Sequence, residues 1–207
     1  KFIKLVSELF ETELNKLHLI QNKKYNLFTK IGKDSETEFH KKFYNKLNNE
    51  WDEFKQEYDI FIKNEILPFL NLDEVLVQKL PTFRVMLPNN VAVSVNHYDS
   101  DDLHKHPSGE INFIIALTDM FDTNTIKVEK MPRLNEYEDI VLKEGEAVCF
   151  NGNKCHHYND VNKTGLTRVS LDFRILPLNY YNNNYQKSSI NTNTRYIENH
   201  YYKRFFK

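Results

Sequence analysis

The first third of the chain carries its apolar residues at helical spacing. In residues 2–20, Val6, Leu9, Phe10, Leu14 and Leu17 fall on one side of a helix. Residues 21–34 are polar, contain Gly32 and read as a loop. A second helix is expected to start at Ser35–Glu38, where a serine followed three residues later by glutamate matches a capping box. Its apolar positions are Phe39, Phe43, Leu47, Trp51, Phe54, Tyr58 and Ile62, which form one continuous stripe ending near Pro68. An aromatic stripe of this kind could line a partner groove. Packing against a sheet is the favoured reading.

From residue 75 the pattern changes. VLVQKL (75–80), TFRVML (82–87) and VAVSVNHYD (91–99) are short, β-branched and separated by Pro81, Pro88 and Asn89-Asn90. INFIIAL (111–117), NTIKVE (124–129), two runs within 139–150, CHHYN (155–159) and TRVSLDFRI (167–175) follow, with no helical pattern between them. Many short strands at this spacing indicate a sandwich or barrel, and a jelly roll fits the count. The expected class is therefore mainly β with N-terminal helices. A jelly-roll core over 75–177 would pack against two helices within 1–70, with a C-terminal extension over 178–207, all in one domain spanning 1–207. The Asn- and Tyr-rich tail could be a basic-aromatic nucleic-acid patch, but packing on the barrel is favoured.

Composition narrows the partners. Lys plus Arg is 28 and Asp plus Glu is 29, so no global field calls for nucleic acid or an anionic membrane. No apolar run approaches the roughly 20 residues that span a bilayer. Cys149 and Cys155 could pair, but nothing else resembles a disulfide scaffold, and a reducing, cytoplasmic compartment is expected. The chain begins at Lys1 rather than Met, which leaves room for an upstream targeting segment. Oligomeric state is not readable from the sequence.

The chemistry concentrates in residues 96–113 and 155–177. Val91, Val93, Val95, His97 and Asp99 occupy every second position, so His97 and Asp99 share a strand face and can converge on one cation. A distal third ligand would complete a 2-His-1-carboxylate triad, which leaves coordination positions open. His157 is the candidate. His156 precedes it, and alternation turns only one of the two inward. His104, His106 and Glu110 form a second potential ligand set; residues 100–108 are an expected loop that could close over substrate, with Glu110 on the strand that follows. In 167–175, Val169, Leu171, Phe173 and Ile175 face one way and Arg168, Ser170, Asp172 and Arg174 the other. Arg168 with Ser170 offers a planar donor fork and a hydroxyl, a receptor for a carboxylate. Asn112 shares a face with Glu110 and could bind cofactor or substrate, or serve the fold.

His97-Tyr98-Asp99, a distal His157 and Arg168-Val169-Ser170 resemble the HxD…H…RxS pattern of the Fe(II)/2-oxoglutarate-dependent dioxygenases. The stretches His106 to Asn112, Thr123-Asn124, Phe150-Asn151-Gly152 and Asn162 to Arg174 are similar to one subgroup, which includes proteins of streptomycin biosynthesis. The resemblance spans about 75–177. It implies a double-stranded β-helix core with Fe(II) on His97, Asp99 and His157. It further implies 2-oxoglutarate on Arg168 and Ser170, O2 at an open position, and hydroxylation of a small molecule, sugar or amino-acid-derived, through a ferryl intermediate. Hydroxylation is expected over halogenation because Asp99 occupies the position a halide would need. The subgroup has Gly after the distal histidine, where this chain has Tyr158. Two rivals remain: a cupin-type metal-binding jelly roll without 2-oxoglutarate, and a non-catalytic binding module.

Overall fold

The computed structural model describes residues 1–21, 37–92, 96–190 and 192–207. Residues 22–34 of the expected loop over 21–34, the serine of the expected capping box and the strand positions Val93 and Val95 lie outside the described residues. The helical part comprises α1 (Phe2–Phe10), a 3-10 turn over Leu14–Leu19, α2 (Glu38–Asn49) and α3 (Asp52–Phe61). A wide π turn, Ile62–Ile66, continues α3 into a last short piece, Leu67–Leu70. Thr37 caps α2, its hydroxyl accepting from the His40 N–H.

The helices are more broken than the stripe suggests. The first ends after Phe10, where Glu11 turns left-handed at φ 55°. Leu14 and Leu17, three residues apart, then share one side of the tighter 3-10 turn. The second divides at Glu50–Trp51, after two adjacent asparagines whose helix propensity is low. Trp51 stays buried across the break, with its ring 4.6 Å from Phe54 and 5.4 Å from Phe43. So the stripe remains one apolar surface although its backbone is two helices rather than one. Pro68 lies just beyond the π turn, where a regular ladder would have needed its missing N–H.

The β-rich part forms two antiparallel sheets. The strands are β1 (Glu74–Gln78), β2 (Thr82–Met86), β3 (Ile111–Ala116), β4 (Ile126–Glu129), β5 (Tyr137–Ile140), β6 (Ala147–Phe150), β7 (His157–Tyr158), β8 (Arg168–Pro177) and β9 (Tyr202–Phe206). The larger sheet runs β6-β3-β8-β1-β9, with β2 also on β8; the smaller runs β5-β4-β7. β8 is the axis. One edge pairs with β3, setting Asn112 opposite Arg174 and Ala116 opposite Ser170. The other edge is shared end to end, β2 taking Arg168–Asp172 and β1 taking Ile175–Pro177. β9 comes from the C-terminal tail, where the Asn- and Tyr-rich composition concealed a strand. It pairs with β1 along its whole length.

The alternation within β8 divides the molecule. Val169, Leu171, Phe173 and Ile175 join Phe83, Val85 and Phe113 beneath the helices in one core. Phe43 lies flat on Phe83 at 4.1 Å, and Tyr58 meets Phe173 edge-on at 5.5 Å. Each such ring contributes about 1.5–3 kcal/mol on burial. On the opposite face Ile114, Ala116 and Val148 of the large sheet meet Ile126 and Ile140 of the small one. Ile114, Ile126 and Phe150 of this cluster also line a cavity whose remaining walls are largely polar. No described helix is long and apolar enough to cross a membrane. Cys149 and Cys155 are both free thiols.

Candidate metal centre

Backbone pairing brings the two distant motifs together. His97 and His157 form an isolated antiparallel bridge, His97 N–H donating to the His157 carbonyl at 3.3 Å and His157 N–H returning at 2.9 Å. The bridge sets the two imidazoles side by side, 4.4 Å between ring centres. Asp99 Oδ1 lies 3.7 Å from Nε2 of His97 and 3.7 Å from Nε2 of His157. The three atoms all fall within 4.8 Å of one another, and no other His, Cys, Asp or Glu group among the described residues converges in this way. A separation of 3.7 Å is too long for a hydrogen bond. Atoms bound to one ion at about 2.1 Å stand no more than about 4.2 Å apart, so both 3.7 Å separations are compatible with a shared divalent ion.

The charge states suit a cation. His157 Nδ1 sits 3.1 Å from the Cys155 carbonyl, which calls for a proton on Nδ1 and leaves the Nε2 lone pair facing the cavity. Burial lowers the His157 pKa; the nearby Asp99 and the Cys155 carbonyl oppose it without reversing it, so the ring is neutral. Burial alone would raise the pKa of Asp99, which is 1% exposed, but the Arg174 guanidinium, with His106 and His157, holds it well below the usual carboxylate range. Its second oxygen, Oδ2, accepts from Asn112 Nδ2 at 2.7 Å and Arg174 Nε at 2.9 Å. Asn112 therefore supports the carboxylate from behind through its amide group.

The competing ligand sets are committed elsewhere. His156 turns away, its ring 5.2 Å from Tyr98 and its N–H 3.2 Å from Glu129. His104 bonds Asp101 at 2.8 Å and stacks its ring 4.4 Å from that of His97. His106 bonds Glu110 at 2.6 Å, and the other oxygen of Glu110 accepts from the Tyr202 hydroxyl. Glu110 and His106 thus fasten the C-terminal strand. The tail grips the same loop through Tyr185 on the Lys105 carbonyl and Tyr196 on the His104 carbonyl, each at 2.7 Å.

Arg168 and Ser170 line the same cavity as His97 and His157. Both are 1% exposed, and Arg168 Nη1 lies 3.4 Å from Ser170 Oγ. Ser170 stands four residues from Arg174 along β8, roughly 13 Å at about 3.3 Å per residue. Arg84 reaches into this space from β2, 3.3 Å from Asp172, and Tyr158 borders it with its ring 5.4 Å from Tyr137. The Asn162–Gly165 segment is structural: Asn162 binds the Met86 and Leu166 carbonyls at 3.1 and 2.8 Å and turns the chain into β8. Three contributors had no assigned role in the sequence. Arg174 was visible as an inward residue of the last strand. Gln78 and Tyr201, which meet at 2.9 Å behind Arg174, gave no local signal.

No family model matches the chain. The streptomycin biosynthesis protein StrG of Streptomyces griseus is 34% identical over 155 residues, spanning 75% of this chain and 70% of that protein. Among solved structures, AviO1 from Streptomyces viridochromogenes Tue57 overlaps at a TM-score of 0.41 and 16% identity, over 56% of this chain and 57% of that one. SnoK, a non-heme alpha ketoglutarate dependent carbocyclase from nogalamycin biosynthesis, overlaps at 0.40 and 15% identity, over 49% of each chain. This chain thus spans about half the length of these structures, and such overlaps are partial. The relationship in sequence is the stronger finding: the chain belongs to the family of the streptomycin biosynthesis protein StrG.

Proposed function

We propose that this protein is a mononuclear non-haem iron oxygenase that uses 2-oxoglutarate and O2 to oxidise a small molecule, within a jelly-roll (double-stranded β-helix) barrel. The observation that carries this reading is the convergence of His97, Asp99 and His157 beside a cavity that His97 and His157 line together with Arg168 and Ser170. Two imidazole nitrogens, that of His157 on a neutral ring, and one ionised carboxylate oxygen suit iron(II), and a three-ligand set leaves positions for other groups. When bound, the iron and the keto acid supply the oxidising chemistry. The chain's own residues bind, orient and shield. Arg168 and Ser170 hold the far carboxylate of 2-oxoglutarate through charge-assisted hydrogen bonds. Ile114, Ile126 and Phe150 line the cavity and limit water. The relative's name places that protein in streptomycin biosynthesis, which favours a sugar or amino-acid-derived substrate here; Asp99, in the position a halide would need, favours hydroxylation over halogenation.

Anaerobic titration with Fe(II) and then 2-oxoglutarate tests the reading. A weak visible charge-transfer band is expected from the chelated keto acid in the native protein. His157→Ala should abolish it, and Arg168→Ala should shift its appearance to much higher 2-oxoglutarate. Iron uptake without the band would favour a cupin-like site that does not use 2-oxoglutarate. No iron uptake would leave a binding module.

A further inference from the structure

We propose that Asn112 and Arg174 are positioning residues that restrict Asp99 to a single coordinating oxygen, and that Gly152 is glycine to seat Asn112. This rests on reading the triad as a metal site and goes beyond it. A free carboxylate can bind a cation through one oxygen or two. Through two, it would occupy an extra position that an oxygenase needs for its other ligands. Here Oδ2 of Asp99 accepts from Asn112 at 2.7 Å and from Arg174 at 2.9 Å, so both of its in-plane lone pairs are engaged. Only Oδ1 is left for the ion, and Oδ1 is the atom that faces both imidazoles.

The arrangement is rigid for a reason of register. Asn112 and Arg174 are directly opposed on β3 and β8, within the larger sheet. Arg174 leans on Gln78 through Nη1 at 3.5 Å. Gln78 is fixed in turn by the Leu80 carbonyl at 2.9 Å, Thr82 at 3.0 Å and the Tyr201 hydroxyl at 2.9 Å. On the other side, the Gly152 carbonyl accepts the Asp99 N–H at 2.9 Å. A Cβ at Gly152 would lie 2.7 Å from Asn112 Nδ2 and 2.8 Å from its Cγ. The backbone of Gly152 does not adopt a positive φ, so the close approach of the Asn112 amide and of the Phe150 ring, whose Cε2 would lie 2.8 Å from that Cβ, is what demands glycine there.

Cobalt(II) substitution tests this without turnover. Its d–d absorption reports coordination number, and competition with a chelator reports affinity. Gly152→Ala, which removes no hydrogen-bonding group, and Asn112→Ala should each weaken Co(II) binding about 10–100-fold. Each should also change the d–d intensity. Arg174→Lys, which keeps the charge but loses the fork, should fall between them and the native protein. Metal-free melting temperatures, measured in parallel, separate positioning from folding. Variants that melt lower but bind Co(II) with native affinity and spectrum would overturn the proposal and leave these residues a structural role. A native protein that takes up no cobalt would overturn the metal reading and this proposal together.

Discussion

The two faces of β8 differ by a one-residue shift and do opposite work. Val169, Leu171, Phe173 and Ile175 lie in a dry layer against aromatic helices, where each side chain fits an apolar environment. Arg168, Ser170, Asp172 and Arg174 line or border a cavity in which guanidinium and carboxylate groups are set close together. Buried charge contributes little net stability even when paired. The cavity face is therefore kept at a cost in packing, and the helix face compensates for it. One strand makes both faces part of the same rigid body, which is how a site assembled from distant segments keeps its geometry.

The comparison predicts a graded series. Phe173→Ala should be the most damaging change, about 3–5 kcal/mol lost in urea unfolding, because the ring packs against Phe113 at 5.3 Å and Tyr58 at 5.5 Å. His40 tests the rule from the other side, as a polar group buried in the apolar layer. Burial pushes its imidazole down to about 3, with Arg84 acting the same way and the Phe83 backbone opposing. Its folded-state value lies below the unfolded one, so its contribution is intact above about 6.5 and erodes as pH falls toward 3. The expected loss is up to about 1.4 kcal/mol per pH unit. Unfolding series at pH 7, 6 and 5 should show that slope flatten in His40→Asn. On the cavity face, Arg168→Met should cost clearly less stability than Phe173→Ala. On the proposed function the same variant should also lose 2-oxoglutarate binding in calorimetry; a strongly destabilised Arg168→Met would break the division of labour. Smallest of all, Asp172→Asn should shift stability by less than about 1 kcal/mol, since its pair with Arg84 is long at 3.3 Å and about one-fifth exposed.

Much of this division was legible because it is a matter of local period. Alternation alone sorted Arg168 and Arg174 from Val169 and Phe173, and the helical stripe from Phe39 to Ile62 marked the covering layer. The same reasoning placed His97 with Asp99, although the structure has a single bridge at His97 and a turn at Asp99 where a strand was expected, and it turned only one of His156 and His157 inward. It could not see pairings across the chain. Glu110 and His106 looked like ligands because their partner Tyr202 lies 92 residues from Glu110. β9 was missed because a strand completed by β1 needs little periodicity of its own. Gln78 and Tyr201 were missed because they touch Asp99 only through Arg174. The breaks at Glu11 and Glu50 escaped because a surface stripe records which side is buried, not whether the backbone beneath it is continuous.

The chain of contacts behind Asp99 also sets a timetable. Asp99 to Arg174 spans 75 residues, Arg174 to Gln78 spans 96, and Gln78 to Tyr201 spans 123. Contacts so far apart close late and slowly, because each loop must surrender its entropy first. The polypeptide is therefore expected to complete its sheet before three donors are ever in place for an ion. On the proposed function, metal uptake would then be a docking event on a finished surface, unlike small zinc modules that fold only around their ion.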